Sequence, residues 1–186
     1  TAERALVFAE SAGDRGLEAE ALLALGRIEA KRGAYVTAEA RLQRALGLAE
    51  LGDDLRRAAR AHEDLSYVDL DQRLLAAALA QASAALALHE RLGSAAGRAR
   101  ALERLAVIFL FQGDAEDALT AAERSLAAAE EPGGNVAAAS LALQVRANAL
   151  RRLGRHDAAR ADFERALAVR RAIGDPREEA WLLARL

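Results

Sequence analysis

Residues 18–53, EAEALLALGRIEAKRGAYVTAEARLQRALGLAELGD, decide the architecture. They read as two amphipathic helices joined at Gly33 and stopped at Gly52. Leu22, Leu25 and Ile28 recur at helical spacing in the first half, Leu42 and Leu46 in the second. The chain repeats this unit. Ala38 lines up with Ala78, Ala118 and Ala159, so successive copies are offset by 40, 40 and 41 residues; Ala45 lines up with Ala5, Ala85, Ser125 and Ala166. A fixed period of this size marks a solenoid of helical hairpins, whose core is a strip and not a ball.

The bulk numbers agree with a repeat built on small residues. Of 186 residues, 53% are hydrophobic and only 4% aromatic, because much of the apolar content is alanine, the best helix former. Basic and acidic residues nearly cancel, 26 against 28, so no global positive field draws in nucleic acid or an anionic membrane. Direct nucleic-acid binding and membrane association are therefore not expected. Cysteine is absent, which excludes disulfides and thiolate metal sites. With no signal peptide and no membrane-length apolar run, the cytoplasm is the expected compartment.

Punctuation divides the chain into a partial repeat at 1–13, full repeats at 14–52, 53–93, 94–134 and 135–174, and a partial repeat at 175–186. Asp14, Asp53, Ser94, Asn135 and Asp175 are suited to N-cap the first helices. Gly13, Gly52, Gly93, Gly134 and Gly174 stand before them as left-handed terminators. Losing the Asp53 cap should cost about 0.5–2 kcal/mol. Gly33, Gly113 and Gly154 mark the turn inside each hairpin, while Arg73 in the second repeat predicts a turn of different build. Pro132-Gly133-Gly134 is the loosest connection and the candidate hinge. Helices are predicted near 2–11, 15–32, 35–51, 54–71, 74–92, 95–112, 115–131, 136–153, 155–173 and 176–186. The chain starts and stops within hairpins, which reads as a fragment of a longer protein. That leaves Leu6 and Phe8 at one end, and Trp181, Leu182 and Leu186 at the other, to mediate homo-oligomer contacts.

Leu22 with Leu25-Gly26, and Ala38-Leu42-Ala45 in the following helix, resemble the signature of tetratricopeptide repeats; Ala159-Phe163-Ala166 repeats the second half. The aromatic of the first-helix signature is replaced by Glu29, and Leu65-Ser66, Leu105-Ala106 and Arg146-Ala147 stand in for Leu-Gly. The period exceeds the usual ~34 residues. Together with Leu51-Gly52-Asp53, it is similar to the long repeats of bacterial transcriptional regulators of the MalT and antibiotic-regulator type, and to those of animal polarity adaptors. The resemblance implies an all-α, right-handed α-solenoid of antiparallel helical hairpins, with about four full repeats.

It also implies that the first helices line a groove for a protein or peptide. Carried over copy by copy, that face comprises Leu23, Arg27 and Lys31; Arg60, Glu63, Tyr67 and Asp71; Arg100, Glu103, Val107, Leu110 and Phe111; and Gln144, Asn148, Arg151 and Arg152. The run 107–111, VIFLF, cannot all face one side of a helix. Val107, Leu110 and Phe111 are either covered by the longer partner helices or form an apolar patch for a ligand side chain. The arginines either grip carboxylates or form a solvated face. The terminal-carboxylate clamp of chaperone-binding relatives is matched only at Arg100 and Arg104, so chaperone-tail binding is not expected.

Nothing points to catalysis. His62, His89 and His156 fall in different repeats and in no HExxH spacing, and no Gly-rich loop follows a strand; no cofactor or metal is implied. The leading reading is a non-enzymatic protein- or peptide-binding scaffold, the interaction or sensory segment of a bacterial regulator. A small-effector or signalling-peptide receptor and a structural homo-oligomerisation array stay open beside it.

Overall fold

The computed structural model describes residues 2–185. Among them are ten helices: α1 (Ala2–Ala12), α2 (Arg15–Lys31), α3 (Tyr35–Leu51), α4 (Leu55–Asp71), α5 (Leu75–Arg91), α6 (Ala95–Gln112), α7 (Ala115–Glu130), α8 (Val136–Arg152), α9 (His156–Ile173) and α10 (Pro176–Leu183). The all-α repeat expected from the period is what folds. Two compact units divide the chain, one ending at Leu92 and the other beginning at Gly93.

The first helices start on side-chain caps, which satisfy backbone N–H groups that the helix itself leaves orphaned. The Leu17 N–H donates to Asp14 Oδ1 (3.0 Å), Arg57 to Asp54 (3.0 Å), Gly97 to Ser94 Oγ (3.1 Å), Ala137 to Asn135 Oδ1 (2.8 Å) and Glu178 to Asp175 (3.3 Å). The second repeat corrects the expectation: its cap is Asp54, not Asp53. Asp53 instead takes the left-handed conformation (φ 50), which Gly13 and Gly93 hold in the flanking copies, and Gly52 stays at φ −99. The 40-residue register, which pairs Asp14 with Asp54, outranks the local Gly-Asp motif. The fourth connection is likewise shifted by one residue, since Gly133 carries the positive φ. Gly134 is required there for space, because a Cβ would lie 2.1 Å from the Ala129 carbonyl oxygen.

The second helices α3, α5, α7 and α9 have no side-chain cap bond. One turn, repeated four times, sets their direction. The N–H of Ala34, Leu74, Asp114 and Arg155 reaches back five residues to the carbonyl of Glu29 (3.0 Å), Asp69 (2.8 Å), Phe109 (2.9 Å) and Leu150 (2.9 Å). Arg73 therefore does not change the turn, contrary to expectation. It adopts φ 63 in the place of Gly33, Gly113 and Gly154, at the steric cost that a side chain carries in that region.

Within a hairpin the two helices run antiparallel and mirror each other about the turn. In the first unit Ser66 Oγ donates to the Ala78 carbonyl (2.9 Å), and Glu29 pairs with Arg41 (3.0 Å). In the second, Arg146 grips the buried Asp162 with both Nε (2.6 Å) and Nη2 (2.5 Å). Closeness depends on complementary volumes. A Cβ on Gly26 would lie 2.7 Å from Leu42 Cγ and 3.3 Å from the Ala38 carbonyl oxygen. One repeat later the same two places hold Ser66 and Ala82, so the larger side chain has changed sides. Leu22, Leu23, Leu42, Leu65 and Val68 centre the first unit's core; Leu143, Phe163, Leu167 and Leu182 belong to the second's.

First helices touch their neighbours, α2 against α4 and α6 against α8, whereas α3 and α5 stand apart. At the ends, Phe8 is exposed as expected and Leu6 packs partly on the first core. Leu182 is fully buried, which corrects the expectation that it is open for association; Trp181 is partly exposed, with the Arg185 guanidinium 3.7 Å over its ring. Leu186 lies outside the described residues.

Two stability experiments follow from this geometry. Gly26→Ala should cost about 1–3 kcal/mol by overpacking against Leu42, offset by about 1 kcal/mol of helix propensity. In a Leu42→Ala background, itself destabilised by about 2–5 kcal/mol, the same change should stabilise. An equal penalty in both backgrounds, read by urea titration, would show that Leu42 is not what holds position 26 to glycine.

Asp54→Ala should cost about 0.5–2 kcal/mol near neutral pH, and Asp53→Ala should leave the cap intact. The N–H of Arg57 holds the Asp54 carboxyl below its ordinary range, against a smaller opposing effect of burial. A depressed folded-state pKa contributes stability above the unfolded value, so the Asp54→Ala deficit should shrink as pH falls through the folded one. A deficit that stays constant in denaturation curves down to pH 2–3 would contradict this assignment.

Candidate binding groove

In the first unit the candidate groove face is carried by α2 and α4. Arg27 pairs with Asp64 across it at 3.4 Å. Glu20 and Arg60, one full repeat apart in sequence, face each other as a two-point bridge at 2.9 and 3.0 Å, and Arg57 lies 3.6 Å from the same carboxylate. Lys31 and Asp71 are exposed at the C-terminal ends of the two helices, with the Tyr35 hydroxyl donating to Asp71 at 3.5 Å. Tyr67 is 37% exposed. Two expected members lie elsewhere. Leu23 is fully buried in the core, and Glu63 turns toward α5, where it meets His89 Nε2 at 2.8 Å.

In the second unit α6 and α8 supply the equivalent face. The 107–111 run divides by position: Ile108 is fully buried, Phe109 and Leu110 pack partly on the core, Val107 is half-buried and Phe111 is 47% exposed. Arg152 Nη1 donates to the Leu110 carbonyl (2.5 Å), one of the acceptors that the end of α6 leaves without a helical partner. Arg152 is thus tied to the neighbouring first helix. Asn148 Nδ2 donates to the Gln144 carbonyl (3.0 Å) and receives Arg151 at 3.3 Å. Gln144 is buried, its amide within 3.4 Å of Ser140 Oγ and 3.5 Å of Glu178 on α10. Arg100 is exposed and Glu103 half-buried.

Taken separately, the first unit's open face presents Arg27, Lys31, Tyr67 and Asp71, and the second unit's presents Arg100, Phe111, Asn148, Arg151 and Arg152. Sequence reasoning missed Glu20 and Asp64, which bridge the first helices. The available signal was opposite charge at equal register, Glu20 against Arg60. It missed also the buried Arg170, which joins Ser140 Oγ (2.9 Å) to the cap Asp175 (3.2 Å); no sequence pattern marks that residue. Among the described residues no group of three His, Cys, Asp or Glu could hold a metal ion, and no helix is long and apolar enough to cross a membrane.

Burial pushes the Glu103 carboxyl above its usual range, against a smaller opposing pull from Arg104. A raised folded-state pKa gives stability that is present below the unfolded value and lost as pH rises through the folded one. Glu103→Gln should therefore melt higher than wild type at neutral pH and equal it below about pH 4. A variant that melts lower at neutral pH would mean that the carboxylate is held by favourable contacts.

Residues 141–173 match the family model described as a tetratricopeptide repeat. No curated protein sequence matches the chain. Among solved structures it is similar to BtubC from P. vanneervenii (TM-score 0.75, 20% identity, 87% of this chain and 66% of that one). It is similar also to aspartyl phosphate phosphatase F from Bacillus subtilis (TM-score 0.82, 18% identity, 91% and 45%). A third is a signal transduction ATPase with numerous domains and a tetratricopeptide repeat sensor from Pyrococcus horikoshii (TM-score 0.79, 17% identity, 92% and 26%). The chain thus spans less than two thirds of each of these structures. Identities this low speak for the fold alone. The match at residues 141–173 and these likenesses agree on the fold: the helical hairpins of each unit are folded as in tetratricopeptide-repeat proteins.

Proposed function

We propose that the chain is a protein- or peptide-binding scaffold, the interaction or sensory segment of a larger bacterial regulatory protein, with no catalytic step of its own. The observation that supports this most is the composition of the open first-helix face. In the first unit that face carries the ring of Tyr67 with the cations Arg27 and Lys31, and in the second the ring of Phe111 with Arg100. Aromatic and arginine side chains are the residue types that anchor protein interfaces. The similar ATPase is named for a tetratricopeptide repeat sensor and is almost four times as long as the matched region, which supports the sensory reading within a larger protein.

The test is affinity capture from bacterial extract with wild type and a Tyr67→Ala/Phe111→Ala double variant whose melting point matches it. A protein retained by wild type and lost by the double variant would support the groove as the working surface. Equal retention by both would place the working surface elsewhere, and no retained protein would turn the reading toward a small effector.

A further inference from the structure

A cleft of about 460 Å³ opens in the first unit where α3 and α5 flank the start of α4. That volume falls in the range of ligand sites, roughly 300–1,000 Å³. Its floor is apolar, from Ala49, Ala58, Ala84 and Leu88. Glu50, Asp53 and Arg91 stand at its rim, and among the described residues none of these three side chains makes a hydrogen bond or ion pair. His62 also lines it. Its Nδ1 lies 2.6 Å from the Gln81 amide oxygen. Asp54, the remaining acid of the cleft, is already occupied by Arg57.

The repeat itself shows what belongs here. One period earlier, α3 projects Arg44 across the corresponding gap to Glu10 of α1 (2.9 Å) and to Glu18 of α2. Late in the second unit, Arg165 of α9 faces Glu130 of α7 at 3.9 Å. Glutamate recurs at 10, 50, 90 and 130, and arginine at 44, 124 and 165, but the place of the second arginine is taken by Ala84. Ala58 likewise stands where Glu18 does. This copy therefore has the carboxylate of Glu50 without an internal arginine opposite it. The lack of that side chain, with the small Ala84 and Ala87 there, leaves the gap between α3 and α5 unfilled.

We propose that this cleft is a docking site for an arginine side chain of a partner protein, which takes the place that Arg44 holds one repeat earlier. The guanidinium bonds to Glu50 and Asp53, and its stem lies on the alanine floor, since arginine buries its methylenes on apolar surface while its head stays wet. Arg91 on the rim is placed to meet an acidic neighbour in the same partner segment. The site uses none of the groove residues, so its failure and the failure of the groove reading are separable.

The probe is a short alanine- and leucine-based peptide with one arginine, compared with its citrulline and lysine analogues. Backbone amide NMR shifts of the whole chain are followed at peptide concentrations up to millimolar. The arginine peptide should shift Ala49, Glu50, Ala84 and Ala87 saturably, and the citrulline analogue, isosteric but uncharged, should bind about tenfold more weakly. Glu50→Gln should reproduce that loss with the arginine peptide. Ala84→Arg should supply the missing internal arginine, shift the Glu50 amide without any peptide, and abolish binding. Equal affinity for citrulline, saturable shifts confined to the first-helix face, undiminished binding by either variant, or no shift at millimolar peptide would each overturn the proposal. Because Glu50 is exposed, its variant keeps the test decisive even if Ala84→Arg fails to fold.

Discussion

Everything in both units depends on how closely the two helices of a hairpin can approach. Where Gly26 meets Leu42, no room exists for even one methyl group, and the Ala38 carbonyl lies just behind. This contact is why the repeat is written in small residues. A helix pair separated by alanines, serines and a glycine buries little area per residue, so stability has to come from many close contacts in series. Serine fits this design because its hydroxyl can satisfy itself on the facing backbone. Ser66 donates to Ala78, Ser125 to Ala99 and Ser140 to Ala166, each fully buried and each bonded to a carbonyl.

The spacing of those small residues was also what made the fold readable. Helix positions followed from periodicity, and the four turns obey one backbone pattern whatever residue fills them. The errors arose where a local motif competed with the register. Gly52-Asp53 has the form of a terminator and cap, yet Asp54 keeps step with Asp14 and does the capping. Arg73 has no business in a left-handed turn by propensity, but the flanking helices determine the turn and the side chain complies.

The groove was less legible, for a geometric reason. Carrying a face over by register tells which side of a helix a residue occupies, but not how far a neighbouring helix reaches across it. Leu23, Glu63 and Gln144 all lie near the boundary of that face, and each is claimed by a neighbour: the core, His89 on α5, and Glu178 on α10. Residues one or two turns further along, Arg27, Tyr67 and Arg151, remain accessible. Apolar runs suffer the same ambiguity. Of five consecutive residues from Val107, Ile108 is wholly buried and Phe111 is nearly half exposed.

Charge, finally, has a division of labour that composition conceals. Near-neutral totals would allow every ion pair to be a surface accident, and pairs such as Arg160–Glu164 along one helix are worth little. Others are placed by the repeat. Glu20–Arg60 joins equal positions of successive first helices, Arg44–Glu10 joins successive second helices, and Arg146–Asp162 joins the two helices of one hairpin. A copy that departs from such a pattern is informative in a way that a single sequence rarely is, because the other copies serve as its controls. Ala84 is one such departure: the chain's own repeats supply the expectation of an arginine, and the unfilled cleft beside Glu50 shows what its absence leaves behind.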